Sequence, residues 1–182
     1  MPLKVDEDVI QEINAELKRT PTPSPSASQE IPLRSEPLTV SEDEAQKVFG
    51  LEAWKPREYI ENDFEDRGEV VVDHATGLMW QKSGSDKMLI YEKEAHAYIE
   101  KLNRDRFAGY NDWRLPTINE LVSLLEPERQ SNGLYIHPIF DKTQQRYWSA
   151  DFRDSETAWR IDFNDGRVDW SYLHGDHHVW VV

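Results

Sequence analysis

The sequence predicts an α+β domain of helices packed on antiparallel hairpins, placed over residues 59–182 of a 182-residue chain. Three observations carry this reading. Trp159, Ile161 and Phe163 alternate with polar residues before Asp165-Gly166, and Val168, Trp170 and Tyr172 alternate after it, which is the period-2 pattern of a half-buried hairpin. Thr117 followed by Glu120 forms a capping box that opens a helix with Leu121, Leu124 and Leu125 on one face. The seven Trp, seven Tyr and six Phe begin only at Phe49, so the core lies C-terminal.

In chain order, Val5, Val9, Ile13 and Leu17 recur every four positions, with Ile10 beside them, giving residues 1–19 the stripe of an amphipathic helix. Helices of about this length are marginal alone in water. The stripe over 5–17 therefore docks on a partner or on copies of the chain, or the helix is a frayed extension. Residues 20–40 are rich in Pro, Ser and Thr, so they are expected to be an extended, solvated tether. Ser41 with Glu44 is a second capping-box candidate over 41–58, opening a helix through Ala45 and Val48 that ends near Gly50 on the rim of the main domain.

Within 59–182, strands over 69–73 and 78–81 flank the turn Ala75-Thr76-Gly77. A helix over 91–102 carries Ala95, Tyr98, Ile99 and Leu102. Pro116 separates the segment 112–115 from the capped helix. Asn132-Gly133 marks a turn, and short strands are expected at 147–150 and 178–182. For the last hairpin, a two-residue Asp-Gly turn pairs Phe163 with Val168, Ile161 with Trp170 and Trp159 with Tyr172. That register sets Asp162 opposite Asp169 and Arg160 opposite Ser171. Like charges across a ladder cost about 0.2–1 kcal/mol, so either Arg160, a cation or a ligand donor compensates, or two solvated carboxylates tolerate each other.

Composition excludes several function classes. A formal charge of −14 opposes nucleic acid, anionic membrane or sulfated polysaccharide as the main partner, which leaves a protein or a neutral or cationic glycan. With no cysteine there is no disulfide, thiolate zinc site or thiol nucleophile. No signal pattern or transmembrane-length apolar run is present, so the cytoplasm is the default location, with export by another route left open. Gly-x-Ser-x-Gly and His-Glu-x-x-His are absent. Residues 162–166 read as a turn, because Gly166 stands one place early for a calcium loop and Leu173 occupies the place of the bidentate Glu. In His174-Gly175-Asp176-His177-His178, adjacent strand residues face opposite ways, so the segment reads as a recognition loop rather than a metal site.

Asp73-His74-Ala75-Thr76-Gly77-Leu78-Met79-Trp80-Gln81, Asn111-Asp112-Trp113-Arg114-Leu115-Pro116-Thr117, Tyr147-Trp148-Ser149 and Ala158-Trp159 resemble the Lcl C-terminal domain family, over roughly residues 64–182. That module ends collagen-like bacterial adhesins. The resemblance implies a C-type-lectin-like fold, two helices flanking twisted antiparallel sheets, whose relatives include glycan binders and formylglycine-generating enzymes. The latter chemistry needs cysteines that this chain lacks, and its acidity is unsuited to the sulfated glycosaminoglycans associated with the adhesins. The expectation is a non-enzymatic ligand-binding or protein-interaction module with no cofactor and no metal. Its candidate ligand-binding residues are Arg160, Asp162, Asp169, Ser171, His174, Asp176 and His177, and the Asn111–Thr117 run is read as scaffold. The alternatives are a metal-dependent hydrolase using Asp162, Asp169 and the His174/His177 loop, and an effector or regulatory protein acting through its N-terminal helix.

Overall fold

Hairpins form where the alternating runs predict them, and helices fill the intervals. The computed structural model describes residues 30–141 and 145–182, so the expected helix over 1–19 and the first half of the tether lie outside the described residues. α1 (Glu42–Val48) leads to a ribbon of β1 (Leu51–Glu52) and β2 (Lys55–Pro56). A sheet of β3 (Phe64–Asp66), β4 (Val70–Asp73) and β5 (Leu78–Gln81) follows in that order. β6 (Leu89–Ile90) precedes a π-helical turn, Tyr91–Ala95, that runs into α2 (His96–Arg104). α3 (Ile118–Val122) comes next. The second sheet, β7 (Arg146–Phe152), β8 (Thr157–Asp162) and β9 (Arg167–Tyr172), is antiparallel with β8 in the middle. β10 (Asp176–His177) returns to pair with β6. The described chain is thus a mixed helix-and-sheet domain with several antiparallel sheets and few helices.

The second sheet divides the core in two. Successive residues of a strand face opposite sides. Trp159 and Ile161 pack with Phe49, Ile118, Leu121 and Trp180 on one side, whereas Trp148 and Ala158 pack with Tyr91, Trp113 and Leu115 on the other. Residues 178–182 feed both sides, with Trp180 in the first cluster and Val179 and Val181 in the second. They run extended rather than as a ladder strand, taking Gln81 N–H on Val181 O and exchanging both backbone bonds between Arg114 and Val182.

The outer edge of β7 is covered by three separate segments. His178 O accepts from Trp148 N–H (3.1 Å), Pro116 O from Ala150 N–H (2.8 Å) and Leu38 O from Phe152 N–H (2.8 Å). An exposed edge would otherwise offer unpaired donors and acceptors to other chains.

Three expectations are corrected. The last hairpin turns through four residues, not two: Asp162 pairs with Arg167, Ile161 with Val168, Arg160 with Asp169 and Trp159 with Trp170. This register differs by two, so every residue keeps its face, and apolar alternation alone does not separate the two arrangements. Local polar chemistry decides. The Asp162 carboxylate accepts from Asn164 N–H (2.9 Å) and Asp165 N–H (3.3 Å), so the chain begins to turn at Asp162. Asp162 therefore does not face Asp169.

At α1 the expected capping box does not form, because the Ser41 hydroxyl donates to the Glu44 carboxylate (2.8 Å) instead of accepting an amide. Glu42, Asp43 and Glu44 supply a favourable negative charge to that helix terminus. The helix is exposed along most of its length and is held to the domain by Ala45 and by the residue after it, Phe49, whose ring meets Trp159 edge-on at 5.6 Å.

Finally, the described end of the tether is extended but bound. Thr39 bridges in parallel to Phe152, and the Trp159 indole donates to Val40 O at 2.9 Å.

Candidate functional site

The hairpin residues singled out from sequence do come together in part. Trp148, Arg160 and Asp169 are paired across β7, β8 and β9, so their side chains share one face of the sheet. Arg160 gives Nη2 to Asp169 Oδ2 at 2.7 Å, and Arg146 gives Nε to Asp162 Oδ2 at 2.7 Å. His177 lies over this face with its ring 4.5 Å from that of Trp148. Both of its ring nitrogens, and Arg160 Nη1, are buried without a hydrogen-bond partner among the described residues. Burial, with Arg160 and Arg146 close by, pushes the His177 imidazole down to about 4. Burial likewise lowers the Arg160 guanidinium.

Arg146, Arg160, Asp162 and Asp169 form an ion-pair array that leaves Arg160 Nη1 without a hydrogen bond among the described residues. Asp162 is 1% exposed and its carboxylate is taken up by Arg146 and the turn amides. The other candidates lie at the margin. Ser171 is half-buried beside Gly175, while His174 and Asp176 are exposed in or beside the loop after β9. The His174 ring stacks on exposed Tyr172 at 5.2 Å.

A second place is built by elements distant in sequence. Asp151 on β7 is wholly buried, and its carboxylate accepts from Arg34 Nη1 (2.8 Å) and Nη2 (2.7 Å), Leu38 N–H (2.7 Å) and Ile118 N–H (2.7 Å). Arg34 also reaches Asn119 Oδ1, and its carbonyl accepts the Thr117 hydroxyl (2.8 Å). Residues 34–38 are thereby strapped against the start of α3. Beside that strap opens a groove of about 420 Å³. Its walls are Ser35, Glu36 and Pro37 from the strap, Tyr91, His96 and Ile99 from the π turn and α2, Trp113 to Leu115, and Ala150 and Phe152 from β7.

Each wall has a local cause. Asn103 holds Trp113 through both backbone groups, Nδ2 to Trp113 O and Trp113 N–H to Oδ1, each 2.8 Å. Arg114 is fixed by the buried Glu120 carboxylate (2.8 Å to Nη1), which also serves the Thr117 cap. The Tyr91 ring stands edge-on to Trp148, Phe152 and His96 at 5.3, 5.5 and 5.8 Å, and its burial raises the phenol's pKa. His96 is hydrogen-bonded to no hydroxyl or carboxylate among the described residues. The groove thus offers apolar and aromatic surface with polar groups at its lip, suited to holding apolar side chains.

Sequence reasoning missed this groove. Tyr91, Ala95, Tyr98, Ile99 and Leu102 make the ordinary apolar stripe of one packed helix face and gave no sign of it. The one signal was an aromatic and an arginine together at Trp113-Arg114, a recognition-like pair that capping alone does not explain.

The family model of the Lcl C-terminal domain matches residues 69–182, more than half of the chain. No curated protein and no solved structure matches it. The matched stretch carries α2, Trp113 and β7, whereas the strap lies before it. No described helix is long and apolar enough to cross a membrane.

Proposed function

We propose, from the premise that the chain belongs to the Lcl C-terminal domain family, that it is a non-enzymatic protein-interaction module on a C-type-lectin-like scaffold. Its binding face is the groove between the strap, α2 and Trp113, and its ligand is a protein segment presenting aliphatic or aromatic side chains. The observation that carries this reading is the groove itself, about 420 Å³ in volume and walled by Tyr91, Ile99, Trp113, Leu115 and Phe152. Surface of that kind gains free energy when covered, at about 25 cal/mol per Å² of apolar area removed from water. The net charge of −14 favours neutral or basic partners. The array of Arg146, Arg160, Asp162 and Asp169 is assigned a structural role, because its charges are already paired with one another.

The test is a peptide array probed with the wild-type chain and with Ile99→Glu. Wild type should retain peptides rich in aromatic and aliphatic residues. Ile99→Glu should bind them at least about tenfold more weakly, because docking would bury an unpaired carboxylate. Equal binding of the same peptides by both proteins, or turnover of a substrate with no binding, would overturn the proposal.

A further inference from the structure

The open end of the β4–β5 hairpin carries a cavity of about 370 Å³ that shares no lining residue with the groove. The ladder ends where Val70 pairs with Gln81 and Lys82 N–H reaches Glu69 O at 2.9 Å, and the chain then leaves through Ser83-Gly84. α2 brings Tyr98 against Gln81, and Phe107 adds a second ring to the wall. Gln81 is only 7% exposed, and Tyr98 is the one partner of its side chain among the described residues, with Gln81 Nε2 donating to the phenol oxygen at 2.8 Å. A carboxamide has two donors and an acceptor oxygen with two lone pairs. One phenol therefore leaves a buried amide with hydrogen-bonding capacity to spare at the wall of the cavity.

The rim adds charge of one sign. The Glu69 and Asp86 carboxylates line the cavity with no hydrogen bond or ion pair of their own among the described residues. Lys82, the single cation of the lining, already gives Nζ to Asp66 Oδ2. Burial, and then the charge of Asp86, raises the pKa of the Tyr98 phenol, which keeps it neutral. Acceptors thus exceed uncommitted donors: two carboxylates, Gln81 Oε1 and the phenol oxygen against one Gln81 N–H and the Ser83 hydroxyl. We propose that this cavity binds a primary ammonium group carried on an apolar stem, whether a free alkylamine or a lysine side chain. The ammonium donates to Glu69, Asp86 and Gln81 Oε1, and the methylenes lie against Tyr98 and Phe107. An ammonium has three donors and no acceptor, which suits an acceptor-rich site. Aromatic rings favour both the cation and its apolar stem. A bare metal ion would leave the two rings without a role, and a neutral polyol would gain nothing from the two charges. The net charge of −14 concentrates cations around the chain.

The test titrates the isotope-labelled full chain, at neutral pH and low salt, with three probes followed by amide chemical shifts. The probes are n-pentylamine, Nα-acetyl-lysine methylamide, and the Nε-acetylated form of the latter, which keeps the stem and loses the charge. Amides of residues 68–69 and 81–86 should shift saturably with the two charged probes, with a Kd on the order of 1 mM. The acetylated form should bind at least about tenfold more weakly, because it loses the charged hydrogen bonds. Glu69→Gln and Asp86→Asn should each weaken n-pentylamine roughly threefold, and together roughly tenfold, as exposed ion pairs do. Their melting temperatures should match wild type, since neither carboxylate holds another residue. Ile99→Glu should bind the amine as wild type does, which separates this cavity from the groove. Tighter binding of the lysine derivative than of n-pentylamine assigns a side chain as the ligand, and the reverse assigns a free amine. Absence of saturable shifts with both amines, equal binding of the acetylated form, or wild-type affinity in Glu69→Gln/Asp86→Asn would overturn the proposal.

Discussion

Asp151→Asn tests the construction on which the strap, the helix and the groove all depend. The substitution keeps shape and volume, but it replaces one acceptor oxygen with an NH₂ group that meets donors. Depending on its orientation, the amide faces either Arg34 Nη1 and Leu38 N–H or Arg34 Nη2 and Ile118 N–H. Bonds to a charged acceptor contribute about 1.5–3 kcal/mol each. Arg34 is 22% exposed and Leu38 38%, so water recovers part of their share, whereas Ile118 is wholly buried and its N–H finds no water. Losing the bonds to the replaced oxygen, less what water returns to the exposed donors, costs about 3 kcal/mol. Arg34→Ala should cost less, about 1–2 kcal/mol, because the two backbone amides keep their carboxylate. Urea unfolding followed by far-UV circular dichroism measures both values, and a double-mutant cycle should give a coupling of at least about 1 kcal/mol. Asp151→Asn within about 1 kcal/mol of wild type, or Arg34→Ala costing more than Asp151→Asn, would refute the reasoning.

Other expectations follow from single contacts. Gly166 has φ +64°, and a Cβ there would stand 2.7 Å from Cγ of Tyr135, whose ring lies under the Lys55 and Arg129 cations. Gly166→Ala should thus cost about 1–2 kcal/mol of left-handed strain plus the displaced ring, whereas Gly133→Ala, at φ +83° in open space, should cost the strain alone. Chemical denaturation of the two variants checks the order. The His177 imidazole sits at about 4 against the ordinary 6.5. Between those values the unfolded chain binds more protons, so this group's contribution to stability falls as pH is lowered from about 6.5 toward about 4. Arg160, Arg146, Asp169 and Asp176 all face it, and His177→Phe, which keeps the packing on Trp148, should flatten melting temperature against pH in that window. Parallel curves for variant and wild type would count against the assignment. Added Ca²⁺ or Zn²⁺ should leave the melting temperature unchanged, since a ligand of the native state would raise it, and a saturable rise would return the histidine loop to consideration as a metal site.

What was legible in the sequence is what local chemistry specifies. The β4–β5 hairpin, with Gly77 at φ +72°, needs only its own turn and two apolar runs. The α3 cap closes within residues 117–120, where Glu120 N–H reaches the Thr117 hydroxyl at 3.3 Å and Thr117 N–H reaches Glu120 at 2.8 Å. β3 was missed because Phe64-Glu65-Asp66 has one apolar residue and becomes a strand only by pairing with β4. The hairpin register failed for a different reason: two-residue and four-residue turns preserve the same alternation. The choice lies in Asp162, which is held by its own turn and by Arg146 from a strand that pairing brings alongside. The groove was illegible because its walls come from residues 35–37, 91–99, 113–115 and 150–152, which no window of sequence contains together.

The run Asn111–Thr117, read from sequence as scaffold, is better understood as the point where scaffold and groove are one construction. Glu120 is wholly buried, and its Oε2 accepts from Thr117 N–H and from Arg114 Nη1, both at 2.8 Å. The carboxylate that starts the helix therefore also fixes the guanidinium at the lip of the groove. Arg114 in turn remains 38% exposed there, so the pair is buried at its anionic end and open at its cationic end. Ile118 N–H, the next donor a free helix terminus would leave orphaned, is taken by Asp151, which holds Arg34 and with it the opposite wall. Two buried carboxylates at one helix terminus thus set both sides of the groove. A residue pattern can be fully accounted for by capping and still be the reason that a recognition surface exists.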